Sequence, residues 1–283
     1  MRKPRVAIVG AGNLATFLAG ALRESGYFVT EIISRNSPRS RRRARTLASK
    51  VGARAVTERT GAFDVELLWF CVPDRAIREA ASSLAARNKG RLRFAFHSSG
   101  ALLSRELESL RKNGAAVASV HPLMTFVAGS RPSLAGVPFA LEGDAAAAQL
   151  ARRIVRDLGG ESFTLPAARK AAYHAWATFT SPLWLAFLVT LEEAARGAGL
   201  TRADARRKSM PIIRQTLENY SRLGPEHSFS GPIIRGDAST VAKHLAVLKK
   251  LPAVRDVYVA LARAALDRLP ARNRNQLRQL LRN

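Results

Sequence analysis

The segment Val6-Ala7-Ile8-Val9-Gly10-Ala11-Gly12-Asn13-Leu14-Ala15 constrains this chain more than any other. Four apolar residues run directly into Gly-x-Gly-x-x-Ala, and an apolar stretch at helical spacing, residues 14–23, follows. A strand, a tight turn and a helix in that order form a phosphate cradle: Gly10 permits the turn, Gly12 lets backbone approach a pyrophosphate, and small Ala15 lets the helix pack against the strand. The helix start adds free N–H groups and the positive end of its dipole. Gly10, Gly12, Asn13 and Leu14 are therefore the expected cofactor contacts.

The rest of the first half repeats the alternation of short apolar runs and helical stretches. Strands are expected at residues 6–9, 29–34, 67–72, 93–97, 116–120, 138–141 and 161–165, with a helix at 76–86 between two of them. Such alternation predicts a mostly parallel, doubly wound sheet covered by helices. From Pro166 onward no strand is expected, only Ala- and Leu-rich helices interrupted at Gly224-Pro225 and Gly231-Pro232. The reading is an α/β domain over residues 1–165 followed by an all-α domain over 166–283.

The end of the second strand selects the cofactor. An NAD site offers an acid there to the ribose 2′-hydroxyl, whereas this chain offers Ser34, Arg35 and Asn36. A cation pairs with a 2′-phosphate, so the expected cofactor is NADP(H), held by Ser34 and Arg35. Arg39, Arg41, Arg42, Arg43 and Arg45 follow, and they either add to that positive field or form a solvated helix turn. The third strand ends in Cys71-Val72-Pro73-Asp74, placing Val72 and Pro73 at the cofactor edge, Asp74 as the cap of the next helix, and Cys71 as a small core residue.

Composition narrows the remaining classes. Cys71 is the only cysteine, which excludes an intramolecular disulfide and a cysteine-based zinc cluster, and no ligands stand at metal spacing. The formal net charge of +25 would suit a polyanion partner, but the 46 basic residues are spread along the whole chain rather than concentrated on one element, so a dedicated nucleic-acid function is not expected. The first residues lack the apolar stretch of a secretory signal, so the protein is expected in the cytoplasm. Residues 175–191 carry no charge. Flanked by Lys170, His174, Glu192 and Glu193 and interrupted by Pro182, they are read as a central helix of an oligomer core rather than a membrane span.

Polar residues at further strand ends are the candidates for chemistry. Ser98, Ser99 and Gly100 form a turn whose hydroxyl and N–H groups suit a substrate carboxylate, and His121 is a hydrogen-bond or proton donor, with a purely structural imidazole as the competing reading of His97 and His121. Lys170 and His174 stand four apart, on one helix face, directly after the last strand. Reduction of C=O or C=N needs an acid for the heteroatom, which either of them supplies. Farther on, Gly231-Pro232-Ile233-Ile234-Arg235-Gly236-Asp237 offers Arg235 as a carboxylate clamp and Asp237 as a helix N-cap.

On these residues the whole chain resembles the DUF2520 family of Rossmann-like proteins, within the 6-phosphogluconate-dehydrogenase-like group. The segments carrying the resemblance are Val9-Gly10-Ala11-Gly12-Asn13, His97-Ser98-Ser99-Gly100-Ala101, His121-Pro122-Leu123, Tyr173-His174-Ala175 and Gly231-Pro232-Ile233-Ile234-Arg235-Gly236-Asp237. Pyrroline-5-carboxylate reductases are similar at the glycine turn and the basic second-strand end, and ketopantoate reductases belong to the same group. The resemblance implies a homodimer paired through the helical domain. It also implies an NADPH-dependent reductase of a small carboxylate-bearing carbonyl compound, acting at the cleft between the domains, with Lys170, His174 and His121 as catalytic residues and Ser98, Ser99, Gly100 and Arg235 on the substrate. Two alternatives remain: an imine reductase and a non-catalytic NADP(H)-binding regulator. One departure stands out, since the hydroxyacid-dehydrogenase branch has Asn four residues after its lysine where this chain has His174.

Overall fold

The computed structural model describes residues 2–61, 63–87, 91–130 and 132–282. These fall into two compact units, divided between Thr178 and Phe179.

The first unit is built on an eight-stranded sheet: β1 Val6–Val9, β2 Val29–Ser34, β3 Arg54–Thr57, β4 Leu67–Phe70, β5 Phe94–His97, β6 Ala116–Pro122, β7 Pro138–Gly143 and β8 Glu161–Thr164. Their order is β3-β2-β1-β4-β5-β6-β7-β8, with β6 and β7 antiparallel and every other pair parallel. Helices α1 Asn13–Glu24, α2 Pro38–Val51, α3 Asp74–Ala85, α4 Glu108–Lys112 and α5 Ala145–Asp157 accompany the strands. The all-apolar sequence of β1 follows from its central place: Val6 and Ile8 belong to one hydrophobic core, Ala7 and Val9 to the other, so both faces of the strand are dry. Because β1 lies between β2 and β4, the chain direction of winding reverses there, and the loops after β1 and β4 open a crevice at the carboxyl edge.

Local signals explain the elements that frame this crevice. Gly10 has φ +113°, and a Cβ there would lie 2.4 Å from the Cys71 carbonyl oxygen, so only glycine permits the turn. Helix α2 starts at Ser37, whose hydroxyl accepts from the Ser40 N–H at 3.3 Å, a cap worth about 1 kcal/mol, and has Pro38 in its first turn. Left-handed Gly52 ends it. Asp74, expected as the cap of α3, is instead the first residue of that helix. Pro73 occupies the cap position without a side-chain bond, and the Asp74 carboxylate accepts from Ser99.

Strand β3 was not expected from the sequence. It is an edge strand whose Arg54 and Ala55 are exposed, so its four residues lack a buried alternating face.

The polypeptide continues into α6 Lys170–Thr180, most of which belongs to the first unit. The second unit contains α7 Pro182–Arg196, α8 Arg202–Ser228, α9 Pro232–Arg235, α10 Ala238–Leu248, α11 Pro252–Arg268 and α12 Arg274–Leu280. The uncharged run at 175–191 is therefore not one central helix: Pro182, which has no N–H to give, begins a new helix after Ser181. No helix among the described residues is long and apolar enough to cross a membrane. Helix α8 bends at Gly224, which has φ 77° and ψ 174°, ahead of Pro225. Asp237 caps α10 as expected, accepting from the Thr240 N–H at 3.0 Å.

Candidate active site

Two polar sites lie along the carboxyl edge of the sheet in the first unit. The first is a pocket of about 320 Å³ at the ends of β1, β2 and β4, lined by Gly10, Gly12, Ser34, Arg35, Ser40, Arg43, Val72 and Pro73 among others, including the acids Glu58 and Glu79. At Gly12 a Cβ would meet no protein atom within 4 Å, so the N-terminus of α1 is open to a ligand's phosphate. No acid stands in the first turn of α1 to neutralise its dipole. Among the described residues the buried Ser34 hydroxyl has no partner, and no ion pair involves Arg35 or Arg43. An orphaned hydroxyl and two free guanidiniums beside a bare helix start fit a phosphorylated dinucleotide.

The side chains of two of the expected cofactor contacts are engaged within the protein. The Asn13 side chain donates to the Phe126 carbonyl at 3.1 Å, which leaves only its backbone facing the helix start. Leu14 packs in a separate apolar recess with Leu18, Trp69, Pro122 and Phe126. Burial pushes the Cys71 thiol up to about 12, so it is no nucleophile at neutral pH, in line with a packing role.

The second site joins β5, β6 and α6. Along β6, Ser119 and His121 are two apart and share a face; along α6, Lys170, Tyr173 and His174 are three and four apart and share another. The two faces meet as two rungs. Lys170 Nζ donates to Ser119 Oγ at 2.5 Å, and His121 Nδ1 shares a hydrogen bond with Tyr173 Oη at 2.6 Å. Gly100 makes the convergence possible, since a Cβ there would sit 2.8 Å from both His121 Nε2 and His174 Cδ2.

Burial tunes these groups. Lys170 is 2% exposed, and desolvation pulls its ammonium down to about 8, with the Glu142 and Asp74 carboxylates opposing. It is still mostly protonated at pH 7. Among the described residues its ammonium has one acceptor, Ser119, so two of its three N–H groups lack a protein partner. His121 is pushed down to about 4 by burial and then by the positive charge of Lys170, and burial raises Tyr173 to about 12. Both are neutral at pH 7. His174 is exposed beside them.

The serine turn is bonded mainly within the fold. Ser98 Oγ accepts from Trp69 Nε1 at 2.9 Å. Ser99 Oγ donates to Asp74 at 2.8 Å and accepts from the N–H groups of Ala101 and Leu102, using its full hydrogen-bonding capacity. His97 is fully buried, with Nε2 on the Leu103 carbonyl and Nδ1 accepting from the Ser99 N–H, and burial pushes it down to about 4. It is a structural histidine. Arg235, exposed on the single turn of α9, belongs to the second unit and has no ion pair among the described residues.

Ser119 and Tyr173 were missed as site residues. A serine and a histidine two apart in an otherwise apolar strand, set against Lys-x-x-Tyr-His on a helix, was the signal available.

Comparison with known proteins agrees with this architecture. Residues 1–122 match a Rossmann-like domain and residues 137–265 match DUF2520, a domain of unknown function. No curated protein matches the sequence. Among solved structures, an NADP oxidoreductase candidate of Bacteroides fragilis is 23% identical with TM-score 0.77, covering 94% of this chain and 99% of its own. A Thermotoga maritima protein is 26% identical with TM-score 0.72, covering 98% of each chain. A pyrroline-5-carboxylate reductase of Coxiella burnetii is 16% identical with TM-score 0.58, covering 99% of each. The sheet-forming part of the chain is thus similar to a Rossmann-like domain, and the part that follows is similar to DUF2520.

Proposed function

We propose that this protein is a cytoplasmic NADP(H)-dependent oxidoreductase that reduces a small carbonyl compound bearing a carboxylate, a 2-oxo acid of the ketopantoate kind. The observation that carries the reading is Lys170: a buried ammonium with two N–H groups unpartnered among the described residues, on the same sheet edge as a pocket suited to a phosphorylated dinucleotide. Similarity to the NADP oxidoreductase candidate of Bacteroides fragilis supports the cofactor class.

In this reading Gly10, Gly12 and the start of α1 hold the pyrophosphate, Ser34 and Arg35 take the 2′-phosphate with Arg43 beside them, and Val72 and Pro73 border the dinucleotide. The bound cofactor supplies a hydride. Lys170 polarises the carbonyl and, with a pKa near 8, gives up a proton to the developing alkoxide at neutral pH. His121 Nε2, its other nitrogen engaged by Tyr173, and the exposed His174 line the approach, and His174 returns a proton to the lysine from solvent. The Ser98 and Ser99 N–H groups donate to the Phe70 carbonyl and to His97 Nδ1, so in the serine turn the Gly100 N–H is the group proposed to orient the carboxylate, together with the guanidinium of Arg235. An iminium ion carries positive charge that the Lys170 ammonium would repel, which favours a carbonyl over an imine substrate.

The domains in this proposal are residues 1–165 for the cofactor and 166–283 for substrate and dimerisation. The second unit supports a homodimer: Leu185, Ile212 and Tyr220 are each at least 60% exposed. The test is NADPH oxidation with a panel of 2-oxo acids and cyclic imines. Turnover of an oxo acid that Lys170→Met abolishes upholds the reading; imine turnover with Lys170→Met unaffected overturns it.

A further inference from the structure

The centre of the sheet in the first unit holds polar residues that the core has no packing reason to accept. Ser119 is fully buried in β6, Ser99 is 6% exposed and Lys170 is 2% exposed. Burying such groups is costly unless each is hydrogen-bonded, and here the bonds run in a single line. Lys170 Nζ donates to Ser119 Oγ at 2.5 Å; Ser119 Oγ donates to the Ser99 carbonyl at 3.1 Å; Ser99 Oγ donates to the Asp74 carboxylate at 2.8 Å. Asp74 immediately follows Pro73 of the dinucleotide pocket. The line therefore ties the lysine to the loop that borders the cofactor.

We infer that Ser119 is a positioning residue: its hydroxyl, oriented by the Ser99 carbonyl, fixes the Lys170 ammonium at one point and keeps it protonated, while Ser99 and Asp74 anchor that point to the cofactor loop. The reason is directional. Because the Ser119 proton is committed to the Ser99 carbonyl, the lone pairs of its oxygen face the ammonium, and Ser119 acts toward Lys170 as an acceptor. A hydroxyl free to rotate would offer the lysine no such preference. The other charged or titratable groups that act on Lys170 are Asp74 from α3 and Glu142 from β7, which favour the ammonium; His97 and His121, neutral at pH 7, lie on β5 and β6. Glu142 is itself engaged by the Ser104 N–H and hydroxyl at 2.7 and 2.9 Å, so Ser119 is the acceptor in contact.

This inference rests on Lys170 being the proton donor for its use in catalysis, but its test does not. The full-length protein labelled with ¹³Cε-lysine is titrated by NMR, with Lys170→Met identifying the Lys170 resonance. Ser119→Ala removes one oxygen and should lower the Lys170 midpoint by about one pH unit, the size of one hydrogen bond to a charged group. Ser119→Thr, which keeps the hydroxyl, should restore it. With a substrate in hand, Ser119→Ala should move the alkaline limb of kcat downward by the same amount and leave the KM for NADPH unchanged. An unmoved Lys170 midpoint in Ser119→Ala, whatever happens to thermal stability, overturns the inference. If the midpoint moves while Lys170→Met retains turnover, the positioning stands and the catalytic reading of Lys170 falls.

Discussion

The two units treat their apolar residues in opposite ways. In the sheet unit Trp69, Phe70, Phe96 and Phe139 are essentially inaccessible, and two cores sandwich the strands. In the helical unit the core is a small cluster around Val241, Leu245, Val259, Ala262 and Leu266, while Phe179, Leu185, Ile212, Tyr220 and Val247 remain exposed. A sheet covered on both faces is complete as a single chain. Long helices with large side chains turned outward leave apolar patches, and such patches mark contact surfaces. On the proposed reading this is a division of labour, with chemistry assigned to the self-sufficient unit and assembly to the unit with exposed apolar side chains.

That contrast can be broken at either end. The largest effect is expected from Lys170→Met, which should cut turnover by about 10²- to 10⁴-fold and leave NADPH affinity, read by fluorescence titration, and oligomeric state nearly intact. Dissociation of the assembly in that variant would dissolve the division. Next, Gly100→Ala pushes a methyl into His121 and His174 and should lower kcat by up to about 100-fold, with secondary structure unchanged by circular dichroism. Arg35→Asp should weaken NADPH binding by about 10- to 100-fold and spare NADH. In the helical unit, Ile212→Glu with Leu185→Glu should shift sedimentation toward monomer while the NADPH dissociation constant stays within about twofold, since neither residue belongs to the sheet unit.

The smallest effects are in pH. Turnover in the reductive direction should fall as pH rises through about 8, where Lys170 loses its proton. Stability has its own window. His97 and His121 are held near 4 in the fold against about 6.5 unfolded, so between those values the unfolded chain binds more protons and stability drops as pH is lowered. Urea midpoints across that range check the sign.

Much of the sheet was legible because its strands are buried on both faces, and continuous apolar runs such as Val6–Val9 have no other reading beside a glycine turn. Edge strand β3 escaped because Arg54 and Ala55 face solvent. The uncharged run at 175–191 misled because composition registers hydrophobicity but not the missing N–H of Pro182 that divides it. Within the site, Lys170, His174 and His121 were visible as polar residues at strand ends and on one helix face. Ser119 and Tyr173 were not, because their importance lies in which strand faces which helix, a pairing across about fifty residues that no local period encodes. Asp74 looked like a cap because Asp is favoured just before a helical stretch; only the fold shows its carboxylate accepting from Ser99.

Helix α2 carries five arginines within seven residues and no acid, and none of the five has an ion pair among the described residues. Arg39 with Arg43 and Arg41 with Arg45 are like charges one turn apart, and each such pair destabilises a helix by a few tenths of a kcal/mol. Added salt screens that repulsion, over about 8 Å at physiological ionic strength. It equally screens the attraction of the same arginines for a ligand's phosphates. With the cofactor's phosphates held by these arginines, as proposed, one helix makes the free protein firmer in salt and the nucleotide complex weaker, so melting temperature and cofactor affinity should run in opposite directions along the same ionic-strength series.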